Sequence, residues 1–425
     1  MKNDEEEQKT LKPYLGLWSA TAINIGAIIG GGIFVVTGIV AGLAGSALVI
    51  SMVIAAVIAV FTALSFAELT AWQPVEGSVY EYACQLVSPF SGFLTGWMWI
   101  VSNTFAGAAV ALGFAYYFTA AIPVLPVTVI AALICVAFTA LNFVGIRQSA
   151  LFNNVLVATK LVILGFFVVF GLLHVNAANF VPFAPFGSGV FYGAYFIFFA
   201  YGGFARVAVV AEEVKDAKRN VPKAILLSLA ISTVVYILVG VVAVGLAGSA
   251  ELAASNSPLT VAIGATGSSL AMQIVSVGGL VATASVLLTS VLGVSRMAFS
   301  MARRKDMPQA LSRLHGKFGT PYLSIWIAGV VMALLVLFVD LTQVVAISTF
   351  AILFYYAIAN TAAFKLKTGN RRYHRLVNAL GLGTCLALLA FILIASTQAW
   401  VVGAICLVAG AFYYGVRKRF QRRGG

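Results

Sequence analysis

Lys160 stands in the run LFNNVLVATKLVILGFFVVFGLL, an apolar stretch long enough to cross a bilayer. It is the tenth of those 23 residues. At 1.5 Å per residue that is about 13 Å from the nearer end. A lysine stem reaches roughly half as far, so its ammonium does not easily snorkel out to water. A charged lysine facing lipid costs several kcal/mol, so it must face the interior of a helix bundle, find partners or lose its proton. Two readings stay open: a structural lysine held permanently by carbonyl groups, and a titratable switch.

Two glycine clusters offer a second kind of chemistry. The first is Gly26-Ala27-Ile28-Ile29-Gly30-Gly31-Gly32-Ile33-Phe34, the second Phe198-Phe199-Ala200-Tyr201-Gly202-Gly203-Phe204-Ala205-Arg206. Each glycine inside a helix costs about 1 kcal/mol relative to alanine. Such runs serve either close helix packing or local unwinding. Unwinding frees N–H and C=O groups that survive within a membrane only where they line a cavity or bind something. A half-helix N-terminus suits a carboxylate, and free carbonyls suit an ammonium, so a zwitterionic amino acid satisfies both. Arg206, just past the second cluster, either forms an ion pair with Glu68 or Glu212, or lies beside the substrate and repels cationic amines. Arg296 reads as a partner in an inner gate, and Glu68, Glu76 and Glu81 as helix caps or gate residues at the inner mouth.

Other chemistry is poorly provided for. His174, His315 and His374 lie near span ends, without an HExxH or GxSxG pattern, so the chain does not read as an enzyme. Cys84, Cys135, Cys385 and Cys406 have no zinc spacing and form no disulfide framework. The breaks carry no carboxylate or methionine cluster for a metal ion. No metal or cofactor is expected.

The elements that position these groups follow from composition. Hydrophobic residues make up 61% of the 425 and charged ones 9%, against roughly 45–50% and about 25% in soluble domains. Mean hydropathy is +1.02. This excludes a soluble enzyme and indicates a multi-pass, all-α membrane protein in contact with the lipid bilayer. Twelve spans are expected, at about 14–43, 46–71, 91–119, 125–143, 150–173, 189–211, 223–248, 268–300, 322–339, 342–364, 376–396 and 398–416. The acidic start, MKNDEEEQKTLK, lacks the pattern of a cleaved signal peptide.

The net charge of +13 is distributed by topology. Arg147, the cluster Lys215–Lys223, the cluster Arg303–Lys317, the cluster Lys365–Arg375 and the basic tail all follow even-numbered spans. Loops after odd-numbered spans carry no Lys or Arg. The positive-inside rule then puts both termini in the cytoplasm of a plasma-membrane protein, and nucleic acid is not a partner. The two glycine breaks open two blocks of five spans. Five is odd, so the blocks are inverted, the sequence pattern of an inverted-repeat transporter. The organisation expected is a cytoplasmic segment 1–13, a first repeat 14–173, a second repeat 189–364, two additional helices 376–416 and a basic cytoplasmic tail 417–425.

GAIIGGGIF, the loop Pro74-Val75-Glu76-Gly77-Ser78-Val79-Tyr80, and FFAYGGF with AEE and NVPKAI resemble the amino acid–polyamine–organocation (APC) superfamily, over roughly residues 15 to 365 and loosely to the end. One departure is Ser78, where the family loop has a second glycine. The resemblance implies a LeuT-like 5+5 inverted repeat with discontinuous helices 1 and 6, and secondary transport of amino acids by alternating access. It assigns the substrate carboxylate to Ile29, Gly30, Gly31 and Gly32. It assigns the amine and an aromatic lid to Phe199, Ala200, Tyr201, Gly203 and Phe204, with side chains near Asn103 and Thr104. Some members that Lys160-Leu161-Val162-Ile163-Leu164-Gly165 resembles hold a lysine in place of a sodium ion and couple to protons. The Gly26 carbonyl and the Ser285 hydroxyl would then be its neighbours, with Thr283 close by. A proton-coupled symporter leads; an exchanger and a transporter-like nutrient sensor are the alternatives. The loop between Thr119 and Pro126 has no cysteine, so no disulfide-linked heavy subunit is expected.

Overall fold

The computed structural model describes residues 13–75, 77–144, 146–367, 369 and 371–423. Residues 1–12 and Glu76, and the side chains of Arg147, Arg422 and Arg423, lie outside that description. The described elements are helices: α1 (Leu17–Ile28), α2 (Thr37–Ala44), α3 (Leu48–Trp72), α4 (Val79–Leu86), α5 (Pro89–Ala121), α6 (Val127–Val144), α7 (Ile146–Leu172) and α8 (Ser188–Tyr201), followed by α9 (Arg206–Val209), α10 (Ala217–Ala253), α11 (Pro258–Gly264), α12 (Ser269–Arg303), α13 (Tyr322–Phe338), α14 (Leu341–Phe364), α15 (Arg375–Ala395) and α16 (Thr397–Arg423). Nine stretches among the described residues are long and apolar enough to cross a membrane. The longest, Leu17–Trp72, contains α1, α2 and α3, while α8 and α13 are shorter apolar helices.

The helices pack as two groups. In one, α3 lies against α10 and α8, α1 against α10, and α2 against α8. In the other, α5 lies against α12 and α14, and α6 against α13. Contacts of α1 with α7 and α12, and of α14 with α3 and α8, join the groups. Small residues allow close approach, as at Gly329 of α13, which faces the Thr139 side chain of α6. α15 is bound to α3 by polar groups. Asn378 donates to Ser65 Oγ at 2.8 Å and to Glu68 at 3.2 Å. Asn360 of α14 donates to Thr62 Oγ1 at 3.0 Å, beside Cys385 of α15.

Ion pairs and hydrogen bonds gather the basic loops on one face of the bundle. Arg304 pairs with Glu81 at 2.7 Å, Arg417 with Asp306 at 2.6 Å, and Arg371 with Glu68 at 3.9 Å. Burial raises the Glu81 pKa, opposed by the neighbouring Arg304. The chain entering α1 is fixed at the same face, where the Tyr14 and Leu15 N–H groups both donate to the Glu213 carbonyl at 3.0 Å. At the other end Asn179 donates to the Gly245 carbonyl at 2.8 Å, and the Asp340 carboxylate caps α14 by accepting the Gln343 N–H at 2.9 Å.

The loop ahead of α4 shows what the departure at Ser78 entails. Gly77 has φ +86°, and Ser78 follows at φ 44°, ψ −117°, a conformation that a side chain strains. The Ser78 hydroxyl is buried without a partner. Ser78→Gly should therefore raise stability by roughly 1 kcal/mol, read as a higher thermal midpoint in detergent; a lower midpoint would contradict the strain.

The sidedness is testable as well. In intact cells a cysteine at exposed Asn256 should react with an impermeant maleimide, and one at exposed Lys218 should not. The reverse pattern would overturn the expected orientation.

Candidate functional site

Both glycine clusters interrupt their helices. α1 ends at Ile28, and Ile29 is extended at φ −77°, ψ 101°. The chain resumes at Gly31 and passes through a π-helical turn, Gly32–Val36, into α2. α8 ends at Tyr201, and residues 202–205 turn before the single turn of α9. The breaks touch backbone to backbone. A Cβ on Gly203 would stand 2.6 Å from the Ala27 oxygen and the Ile28 nitrogen, and one on Gly32 would collide with Ala200.

Buried side chains occupy the freed backbone groups, as a low-dielectric interior requires. The Tyr236 hydroxyl, from α10, lies 2.6 Å from the Ile28 carbonyl and 3.1 Å from the Ala200 carbonyl, so one phenol links the two breaks. The Tyr356 hydroxyl donates to the Gly202 carbonyl at 2.9 Å. The Val207 N–H donates to Asn24 Oδ1 at 2.8 Å.

Lys160 is 0% exposed. Its ammonium donates to the Gly26 carbonyl at 3.0 Å, to the Ile29 carbonyl and to Ser285 Oγ at 3.2 Å. The structure thus brings together Lys160, Gly26 and Ser285, and adds Ile29. Thr283 is turned away and bonds the Gly279 carbonyl of its own helix at 2.7 Å. Ser285 donates onward to Asn153 Oδ1 at 3.0 Å.

A cavity lies between the breaks. Ala27, Ile28, Gly31 and Gly32 line it from one break, and Phe199, Ala200, Gly202, Gly203 and Arg206 from the other. Ser102, Asn103, Ala106 and Val110 of α5, Val286 of α12, and Ile352 and Tyr355 of α14 complete it. A second cavity, toward the basic face, is lined by residues including Tyr14, Asn153, Glu213 and Thr289. Arg206 lines both. Its Nη1 donates to the Thr289 carbonyl at 2.8 Å and its Nη2 to Asn103 Oδ1 at 2.5 Å, and its Cζ stands 5.4 Å from the Trp99 ring centroid.

The structure distributes the expected residues unevenly. Arg206 is not paired with Glu68, whose carboxylate instead accepts the Arg372 N–H at 3.0 Å and the Asn378 amide. Of the expected substrate residues, Gly31, Gly32, Asn103, Phe199, Ala200 and Gly203 line the cavity, whereas Ile29, Gly30, Thr104, Tyr201 and Phe204 do not. Phe204 instead packs against Phe66 and Tyr356, with ring centroids at 5.9 and 5.1 Å. Arg296 lies 3.8 Å from Glu213, which also accepts from the Tyr14 hydroxyl at 3.1 Å. Tyr236, Tyr355, Tyr356 and Asn153 went unnoticed in the sequence, where nothing separates them from ordinary helix residues.

The comparisons agree with this architecture. A profile described as amino acid permease matches residues 15–415. An uncharacterized transporter of Mycobacterium tuberculosis is 36% identical over 416 residues, 97% of this chain and 93% of that protein. The branched-chain amino acid permease BcaP of Bacillus subtilis is 33% identical over 381 residues, 85% of this chain and 82% of its own length. The methylthioribose transporter of Bacillus subtilis is 34% identical over 357 residues, 79% and 77%. With a profile match over nearly its whole length and relatives similar from end to end, the chain belongs to the amino acid permease family of the APC superfamily and is a multi-pass membrane transporter.

Proposed function

We propose that this protein is a secondary active amino acid transporter, a proton-coupled symporter working by alternating access, with Lys160 as the coupling group. The observation that carries the reading is the Lys160 ammonium held by two carbonyls at the first break and by Ser285. Two carbonyls and a hydroxyl are the ligands of a small hard cation, and here an ammonium supplies the charge. The substrate site is the cavity between the breaks. The first N–H groups of the half-helix that begins near Gly31 have no partner within that helix and take the α-carboxylate. The α8 end and Phe199 take the amine.

In this mechanism the charged lysine ties α7 to α1 and α12. Loss of the proton removes the charge and leaves two N–H donors for three oxygens, which loosens that tie. Asn153, behind Ser285, lines the cavity toward the basic face and gives the proton an exit there. Protonation moves the equilibrium between the outward- and inward-open states only because it is worth different amounts in each. Arg206, between the two cavities, closes the inner path.

The architecture proposed for this cycle has twelve crossings, with both termini inside. Leu17–Trp72 counts as two crossings, folded back at Gly45, where φ is +60°. α8 with α9, and α13, count as one each. Repeat-equivalent helices pack together, α3 on α10, α5 on α12 and α6 on α13, which supports an inverted 5+5 repeat with α15 and α16 outside it. The relatives named for branched-chain amino acids and for methylthioribose differ in cargo, so the side chain of the substrate does not carry over from them.

Two outcomes test this reading. In proteoliposomes, Lys160→Ala and Lys160→Arg should each lower uptake driven by an imposed pH gradient by at least about ten-fold, since arginine keeps its charge. Sodium should not stimulate the wild type. Undiminished pH-driven accumulation by Lys160→Ala would make the lysine structural. Gly31→Leu should abolish substrate binding without loss of helical content, because its Cβ alone would stand 2.7 Å from Val110 and the side chain would enter the cavity. Binding at the wild-type level would leave the glycines a packing role only.

A further inference from the structure

Arg206 is a cation inside the bundle without an anion. It is 9% exposed, and its recorded partners are the neutral Asn103 amide oxygen, the Thr289 carbonyl and the Trp99 ring. It forms no ion pair with any described residue, and no described residue lining the cavity between the breaks is acidic. Two of its five N–H donors have protein acceptors. A guanidinium left so inside a membrane protein points to a ligand that brings the missing charge.

The two anion-seeking ends of the cavity are separated along α5. Gly31 sits against Val110, and Arg206 against Asn103. These α5 residues are seven positions apart, about 10 Å at 1.5 Å per residue. One carboxylate cannot reach both. An extended five-carbon dicarboxylate has about 5 Å between its carboxyl carbons, from four bonds of roughly 1.5 Å. With carboxyl oxygens and a hydrogen bond of about 2.8 Å at each end it spans the gap.

Resting on the amino acid transport reading, we infer that Arg206 is the specificity-determining residue of the site and receives the side-chain carboxylate of an acidic amino acid of glutamate length, while the Gly31 end holds the α-carboxylate. The guanidinium fork pairs with a carboxylate in two parallel bonds. It offers an amide one acceptor oxygen and sets its donors against the amide N–H₂ group. A lysine side chain meets like charge.

The test is uptake by full-length protein in proteoliposomes under an inward proton gradient, with labelled L-glutamate, L-aspartate, L-glutamine, L-leucine and L-lysine. Glutamate should be taken up at least about ten-fold better than glutamine, with aspartate between them and lysine excluded. Arg206→Gln should cut the glutamate-to-glutamine ratio to about two or below, and Arg206→Lys should keep a preference for the acid. The wild-type ranking decides the matter even where the variants fail to fold. Uptake of leucine or lysine with glutamate refused overturns this assignment and leaves amino acid transport standing. An equal loss for all five substrates in Arg206→Gln, with no change in ranking, overturns the side-chain assignment in favour of the α-carboxylate. Uptake of none of the five by a folded wild type overturns both readings.

Discussion

Everything in this bundle is arranged around backbone polar groups released where no water is available to bind them. An unbroken membrane helix satisfies its own N–H and C=O groups. The interruptions at Ile29 and at 202–205 give up that self-sufficiency in two adjacent places. Each released group then has to be met by a side chain from another helix. Tyr236, Tyr356, Asn24 and Lys160 meet them from α10, α14, α1 and α7. The breaks therefore recruit four helices as their walls.

The glycines have a role distinct from unwinding as such. Gly203 and Gly32 let one break lie directly on the other, with the backbone of Ala27 and Ala200 in the space a side chain would fill. Two half-helix ends that close can act on one ligand from opposite sides. Unwinding without this contact would give two separate polar defects; contact without unwinding would give a tight helix crossing with no free groups.

Much of this was legible in the sequence, for identifiable reasons. Lysine is so costly in an apolar run that Lys160 stands out without any partner in view, and the glycine runs mark the breaks. Charge sorted by loop likewise anticipates the basic face. What was not legible is angular. The resemblance assigns Tyr201 and Phe204 to the substrate, but Tyr201, the last residue of α8, lies near the Met52 carbonyl of α3, and Phe204, inside the turn that follows, packs on Tyr356 of α14; a motif does not say which way a side chain points at and within a break. One reading of Arg206 paired it with Glu68, beside readings that paired it with Glu212 or set it by the substrate. The Glu68 carboxylate is taken up instead by the loop ahead of α15, in a helix pairing that spacing does not reveal. Tyr236 is hidden for a related reason: on a helix apolar all round, one more aromatic carries no sign that its hydroxyl is engaged.

The seam between α3 and α15 bears on how the molecule can move. Along α15, Asn378 and Cys385 lie seven residues apart and meet Ser65, Glu68 and Thr62 along α3. Apolar side chains can slip past one another at small cost, but paired polar groups in a dry interface have one register. Sliding by a single helical turn, about 5.4 Å, would unpair all of them together. α15 is thus keyed to α3 as a splint, and a rocking motion between the two helix groups would carry it along as cargo. α14, packed on both α15 and α5, then sits on the shear plane.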